Sequence, residues 1–268
     1  MPTPPFISFR PVTASPSAKY AYLAALTWHE ARDLLASRPI GILPVGAIEA
    51  HGPHLPLDTD VLIAEATADA LGAALLQRQV SAIRLPPITY STSFVGTSFP
   101  GTSPVNPTVL QAYVTDVLTH AATQGFRALL ICNAHLEPAH VEALHSAVRA
   151  LNKVIDVPVL FVDQRQESHA SRLSSEFAAG ARHAGAYETA ILMAAAPYSV
   201  RVERLHTLPA VWIDLPAALR AGALTFTEAG MTDAYVGDPA SATADEGHRL
   251  LDILAEMQIT ALLEAGVI

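Results

Sequence analysis

Five side chains in three short stretches could carry chemistry in this chain. Glu49-Ala50-His51 and His135-Leu136-Glu137 each supply one carboxylate and one imidazole two residues apart, and Asp60 adds a third carboxylate. In extended backbone, positions i and i+2 project to the same side, so each pair can aim both groups at one point. Imidazole suits Zn, Fe and Ni, while carboxylate oxygen also suits Mn and Mg. A single catalytic zinc ordinarily takes three protein ligands plus water, so this inventory exceeds its needs. Two cations about 3.5–4 Å apart, sharing one carboxylate, would use the whole set. Such a pair activates water near neutral pH and polarises a carbonyl, which is equipment for hydrolysing an unreactive bond such as an amide. A lone His-x-Glu pair is ordinarily a satisfied polar cluster at a strand end. Two of them, both behind apolar runs and both bordered by Gly or Pro, read as a metal centre.

The elements that must hold these residues follow from the hydrophobic pattern. Ile40 to Gly46 is apolar and bounded by turn residues, so it reads as a buried strand, although Pro44 suits an edge or a bulge better. Ile83–Ile88, Ala128–Cys132 and Pro158–Val162 read as further strands. Between Asp60 and Gln79, Leu62, Ile63, Ala66, Leu71 and Leu75 predict a helix. Thr27-Trp28-His29-Glu30 is a capping box opening a short helix that ends near Ser37. Asn106-Pro107 places an N-cap before a proline at the first helical position, for a helix to about Thr123. Another helix spans about Val141 to Asn152, and Asp245-Glu246 suit the first turn of a C-terminal helix. The Ser/Thr/Gly/Pro segment Ser91–Thr108 reads as a long loop, of a length that is usually functional or disordered. Residues 1–20 read as an irregular arm. Alternating strands and helices predict an α/β fold: a mainly parallel central sheet flanked by helices on both faces. No repeat or linker divides the chain, so one domain over residues 1–268 is expected. In such sheets ligands bind beyond the carboxyl ends of the strands, where both His/Glu pairs fall.

Composition removes other classes. Asp and Glu outnumber Lys and Arg by 25 to 16, for a net charge of −9, and there is no basic block. Affinity for a phosphate backbone needs Lys and Arg, so no nucleic-acid partner is expected. No window offers the ~20 apolar residues of a membrane helix, and the N-terminus lacks the apolar core of a signal peptide. Cys132 is the single cysteine and lies in an apolar run, which excludes an internal disulfide and a four-cysteine zinc site. A buried free thiol suits a reducing compartment, so a cytoplasmic protein is expected.

The run Pro44-Val45-Gly46-Ala47-Ile48-Glu49-Ala50-His51-Gly52-Pro53-His54-Leu55-Pro56-Leu57-Asp58-Thr59-Asp60 resembles the signature of the creatininase family. Phe99-Pro100-Gly101-Thr102, Asn133-Ala134-His135-Leu136-Glu137 and His183-Ala184-Gly185-Ala186-Tyr187-Glu188-Thr189-Ala190 resemble three further motifs of that family, in family order. The resemblance implies a creatininase-like three-layer α/β/α fold and two divalent ions per chain, Zn and/or Mn, with Fe as a further option. It implies one ion held by Glu49, Asp60 and His135, the other by His51, Asp60 and Glu137, and Asp60 as the bridge. Glu137 and the small residue Ala186 match the creatininase-like branch. The resemblance also implies His183 as general acid, Glu137 or Glu188 as proton acceptor, and Ser93 and Leu136 as substrate contacts. Glu188 has the alternative role of orienting His183, and His54 that of orienting a ligand carboxylate. A homo-oligomer, on the pattern of a hexamer, is implied as well.

Departures from the family narrow the substrate. Creatininase proper encloses its flat ring with tryptophans, whereas this chain has none between Asp163 and Glu188 and holds only Trp28 and Trp212. Leu136 stands where an aromatic residue would be. The expectation is therefore an amidohydrolase acting on a C–N bond of a small cyclic or linear amide other than creatinine, through a hydroxide bridging two cations. The competing expectations are a metallopeptidase or deformylase on the same fold, and a non-catalytic metal-binding subunit.

Overall fold

A computed structural model describes residues 18–268. The expected N-terminal arm lies outside the described residues except at its end, where Tyr20 already joins the sheet. Five strands, β1 (Tyr20–Tyr22), β2 (Ile40–Val45), β3 (Ala82–Arg84), β4 (Ala128–Asn133) and β5 (Val159–Phe161), form one sheet of order β1-β3-β2-β4-β5. Every pairing is parallel. The helices are α1 (Trp28–Leu35), α2 (Thr59–Gln77), α3 (Pro107–Ala122), α4 (Pro138–Leu151), α5 (Glu167–Ala170), α6 (Ser175–Ala178), α7 (Ala186–Ala195), α8 (Val202–Leu205), α9 (Leu215–Arg220) and α10 (Ala244–Glu264).

The buried strand β2 sorts its side chains by period two onto two helix layers. Leu43 and Val45 pack with Leu110, Val114 and Leu118 of α3 and Leu144 and Leu151 of α4. Ile40 and Ile42 pack with Leu71 and Leu75 of α2 and Ile259 and Leu262 of α10. Cys132 belongs to this second layer, fully buried, and burial pushes its thiol up to about 12. A further layer forms where α7 crosses α10: a β-carbon on Gly247 would run into the Ala190 carbonyl.

Local chemistry sets the element ends. The Thr27–Glu30 capping box forms as expected. Pro44 sits inside the sheet, yet its ring nitrogen falls on the side where β3 has stopped at Arg84, so no ladder donor is lost. Its carbonyl accepts from Ile88 N–H at 3.0 Å. The strand expected over 83–88 is only Ala82–Arg84, because Pro86 and Pro87 cannot donate, and Ile88 rejoins as a single bridge to Val45. Helix α4 begins at Pro138 rather than near Val141, with proline at its first position. Among the described residues no helix is long and apolar enough to cross a membrane.

Candidate metal centre

Strands β2 and β4 are neighbours, so the segments leaving their carboxyl ends emerge side by side. Gly46 lets the first segment press against the start of α2. A β-carbon there would lie 2.5 Å from Val61 N and 2.6 Å from the Asp60 carbonyl carbon, both backbone atoms. This close approach brings Glu49 and His51 beside Asp60, which sits in the first turn of α2. Glu49 N–H donates to Leu57 O at 3.0 Å and closes the loop between them. Beyond β4, Asn133 braces the second segment: its Nδ2 donates to His135 O at 2.6 Å and its Oδ1 pairs with His140 Nε2 at 2.7 Å.

The imidazoles and carboxylates converge. His135 Nδ1 is 3.1 Å from Glu49 Oε1 and 3.0 Å from Asp60 Oδ2. His51 Nε2 is 3.4 Å from Asp60 Oδ1, 3.6 Å from Glu188 Oε2 and 3.9 Å from Glu49 Oε1. His183 Nδ1 is 3.6 Å from Glu49 Oε1. The far side of each ring is fixed by a backbone carbonyl: Glu49 O for His51, Thr92 O for His135 and Ala50 O for His183, at 3.1, 2.7 and 2.9 Å. Each ring nitrogen nearest the carboxylates is therefore the one available to accept or to ligate. Three ligand-like groups result: Glu49, Asp60 and His135; His51, Asp60 and Glu188; and Glu49, His51 and His183.

Burial makes this cluster electrostatically demanding. Desolvation opposes charge on His51, but Asp60, Glu188 and Glu49 outweigh it and raise the imidazole to about 10. His135 is likewise raised against desolvation, chiefly by Glu49 and Asp60. Desolvation opposes ionisation of Asp60, yet the His51 and His135 charges hold its carboxyl below the ordinary range. Burial lifts Glu188 to about 8. Burial, then the neighbouring His51 charge, pushes His183 down to about 4. Glu49 Oε2, His51 Nε2 and Asp60 Oδ2 are buried with no hydrogen-bond partner. Buried polar atoms are normally satisfied, so three converging orphans of this chemistry fit divalent cations.

The other expected site residues take varied positions. Glu137 is in none of the three groups; Glu188, from the first turn of α7, is the carboxylate beside His51 and Asp60. The Glu137 carboxylate instead accepts from Val95 N–H at 3.0 Å, and the side chain lines the cavity over the cluster. Glu188 is also held by Ala184 N–H at 2.6 Å, from a left-handed residue at φ 49°. Leu136 lines the cavity. Ser93 is buried with its hydroxyl unpartnered and is not part of the cavity wall. His54 binds Thr189 Oγ1 at 2.8 Å rather than a carboxylate, tying the first segment to α7. His140 supports Asn133 and stands edge-on to the His135 ring at 4.7 Å. Nothing in its spacing signals that role.

The cavity above the cluster measures about 590 Å³. Leu215, Leu219 and Phe226 supply apolar walls, and Arg165, Arg182 and Arg220 supply cationic ones. Trp28 and Trp212 are both exposed and neither lines it.

A cluster of this composition at the carboxyl ends of a parallel sheet fits the metal site of an α/β hydrolase, and comparison with known proteins agrees. Residues 24–262 match the family described as "Creatininase: Creatinine amidohydrolase". The mycofactocin precursor peptide peptidase of Mycobacterium ulcerans (strain Agy99) is 34% identical over 231 residues, 84% of this chain and 84% of its own. The creatinine amidohydrolase of Pseudomonas putida is 28% identical over 208 residues, 72% of this chain and 78% of its own. A crystal structure of creatinine amidohydrolase superposes with a TM-score of 0.67 at 25% identity, covering 94% of this chain and 98% of that one. The chain belongs to the creatininase family. It is a hydrolase of that family, with buried His/Glu/Asp groups consistent with a dinuclear metal site.

Proposed function

We propose that this chain is a dinuclear metallopeptidase that cleaves an amide bond within a short peptide. The observation that carries the reading is the cavity: about 590 Å³, walled by aliphatic side chains, Phe226 and arginines, without the tryptophan a flat ring would need. That volume lies in the range that holds drug-sized ligands and far exceeds one small ring. The 34% identity to a peptide peptidase, against 28% to a creatinine amidohydrolase, supports the same choice. A small cyclic amide is the second reading, favoured by the likeness to creatinine amidohydrolase.

Glu49, Asp60 and His135 would hold one cation and His51, Asp60 and Glu188 the other, with Asp60 between them. Imidazole and carboxylate together suit Zn or Mn. When bound, the pair lowers the pKa of a water toward neutrality and polarises a carbonyl. The chain's own residues supply the proton traffic. Glu137 faces the cavity outside the ligand groups, with one carboxylate oxygen held by Val95 N–H. Its other oxygen takes the proton of the attacking water and returns it to the amide nitrogen, which leaves only when protonated. His183, with Nε2–H given to the Ala50 carbonyl, presents Nδ1 as an acceptor toward the reacting centre. That arrangement, and a basicity lowered to about 4, favour a holding role over the general acid expected from sequence.

The test is hydrolysis by the Zn- or Mn-loaded protein, followed by mass spectrometry, over short peptides, formamides, lactams and hydantoins. Peptide cleavage that stops on chelation and returns with metal is expected. Opening of lactams or hydantoins with every peptide left intact would overturn the peptidase reading, and metal binding with no turnover of any compound would leave a metal-binding subunit.

A further inference from the structure

Two guanidiniums on the inner wall of the cavity are in different circumstances. Arg165 is satisfied, since its Nε–H and Nη2–H donate to the two oxygens of Asp163 at 3.0 and 2.9 Å. Arg182 is half-buried and spends only Nε–H, on the Phe177 carbonyl at 2.9 Å. Its guanidinium lies over the Phe177 ring, 4.7 Å from the centroid. Among the described residues no carboxylate comes within ion-pair distance of Arg182, in a chain with nine surplus negative charges. Burial and then the nearby Arg165 disfavour its charge, only partly offset by the more distant attraction of Asp163, which is already paired with Arg165. Its Nη groups make no hydrogen bond to the described residues and Arg182 lines the cavity, so these donors are free to take the oxygens of a ligand. Exposed Arg220 adds a third guanidinium to the cavity lining.

We propose that Arg182 binds a carboxylate of the substrate, one or two residues from the scissile bond. The inference rests on the peptidase reading and names the substrate class. Arg182 precedes His183, whose Nδ1 lies 3.6 Å from Glu49. Arg182, His183, Glu49 and Asp60 line the same cavity, so a short peptide, at about 3.3–3.6 Å per extended residue, can span from the cluster to the guanidinium. The planar fork suits bidentate capture of a carboxylate. That carboxylate is either the C-terminus of the peptide or an acidic side chain, and both present the same two oxygens.

The test uses the full chain loaded with Zn or Mn and a set of N-acetyl tripeptides. Each is made as free acid and as C-terminal amide, with Asp and with Asn next to the bond. Wild type should prefer the carboxylate-bearing member of one pair by about 10- to 100-fold in kcat/KM, the range of a charge-assisted hydrogen bond. Preference within the acid/amide pair assigns the C-terminus, and preference within the Asp/Asn pair assigns the side chain. Arg182→Gln should erase that preference, mainly through KM, and Arg182→Lys should retain part of it. A separate titration follows metal-free protein with hippurate and with hippuramide by calorimetry, where only hippurate should bind and Arg182→Gln should abolish it. Cleavage of acid and amide, and of Asp and Asn, at equal rates overturns the inference and leaves the peptidase reading standing. If no peptide is cleaved, the peptidase reading fails, while the hippurate titration still decides whether Arg182 takes a carboxylate. Should Arg182→Gln not fold, the wild-type hippurate/hippuramide comparison and the Lys variant carry the decision.

Discussion

Two carboxylates compete for the second cation, and replacing each by its amide separates them. In the structure Glu188 Oε2 stands 3.6 Å from His51 Nε2, within a ligand-like group that includes Asp60, whereas Glu137 joins no such group. Unit charges 4 Å apart interact by about 4 kcal/mol at an effective dielectric constant of 20, so a carboxylate facing a divalent cation gains about twice that before desolvation. Dehydration of both ions returns much of it. So does the proton that Glu188, lifted by burial to about 8, must give up near neutral pH. Removing one member of a buried charge pair nets a loss of about 3–5 kcal/mol. Glu188→Gln should therefore weaken the second cation by roughly 10²–10⁴-fold while the first stays on Glu49, Asp60 and His135. The variant should fold, because a glutamine oxygen can still accept from Ala184 N–H. Glu137→Gln should keep both cations and lose turnover. Metal content after dialysis against graded chelator, read by elemental analysis beside peptide hydrolysis, checks both. Two metals retained in Glu188→Gln together with one in Glu137→Gln would refute the assignment and restore the ligand set implied by the sequence motifs.

The metal-free protein should become less stable as pH rises from about 6.5 to 10. His51 has its folded value raised to about 10, so its stabilising proton is fully present below the unfolded imidazole value and is lost as pH climbs through the folded one. Glu188, raised to about 8, acts in the same direction. Metal binding must displace these protons, so the affinity for Zn should rise over the same range, with proton release visible as buffer-dependent heats in calorimetry. A flat metal-free melting profile with no proton release would contradict the electrostatics of the cluster. Asn133→Ala removes both the hydrogen bond to His135 O and that to His140. It should cost about 10- to 100-fold in metal affinity with little change in melting temperature, and an unaltered affinity would show that the brace is dispensable. Gly247→Ala drives a β-carbon into the Ala190 carbonyl where α10 crosses α7. A loss of about 1–3 kcal/mol, or several degrees in Tm, is expected, with an unchanged Tm as the refuting result.

What is legible in the sequence is what local chemistry dictates. Thr27 and Glu30 cap each other across three residues, and Pro107 opens a helix behind Asn106, so both starts can be read directly. Glu49, His51 and Asp60 lie in one short run, and His135 follows an apolar strand, so four members of the cluster are visible as well. The layer order is not visible, because a parallel strand covered on both faces is apolar throughout. Nothing in the run Ile40–Val45 says that Ile42 meets α2 while Leu43 meets α3. The place of Glu188 is hidden for a different reason. It depends on α7 docking against α2, a contact between segments far apart in the chain, and on a left-handed Ala184 that no residue type announces.

The cavity walls are the least legible part, and they govern the substrate. Arg182, Leu215, Leu219 and Phe226 come from a stretch whose helices are four to ten residues long, too short to impose a readable hydrophobic period. The floor of the site comes from the turns beyond β2 and β4 and the first turns of α2 and α7, held by backbone contacts that leave little latitude at Gly46 or Asn133. Hydrolytic chemistry is thus built into the rigid sheet, while selectivity is delegated to short segments packed around Phe177 and Phe226. On that division, this chain can share its floor with a creatinine amidohydrolase and still accept a different amide. The proposed role of Arg182 places that choice in the cavity wall rather than in the cluster beneath it.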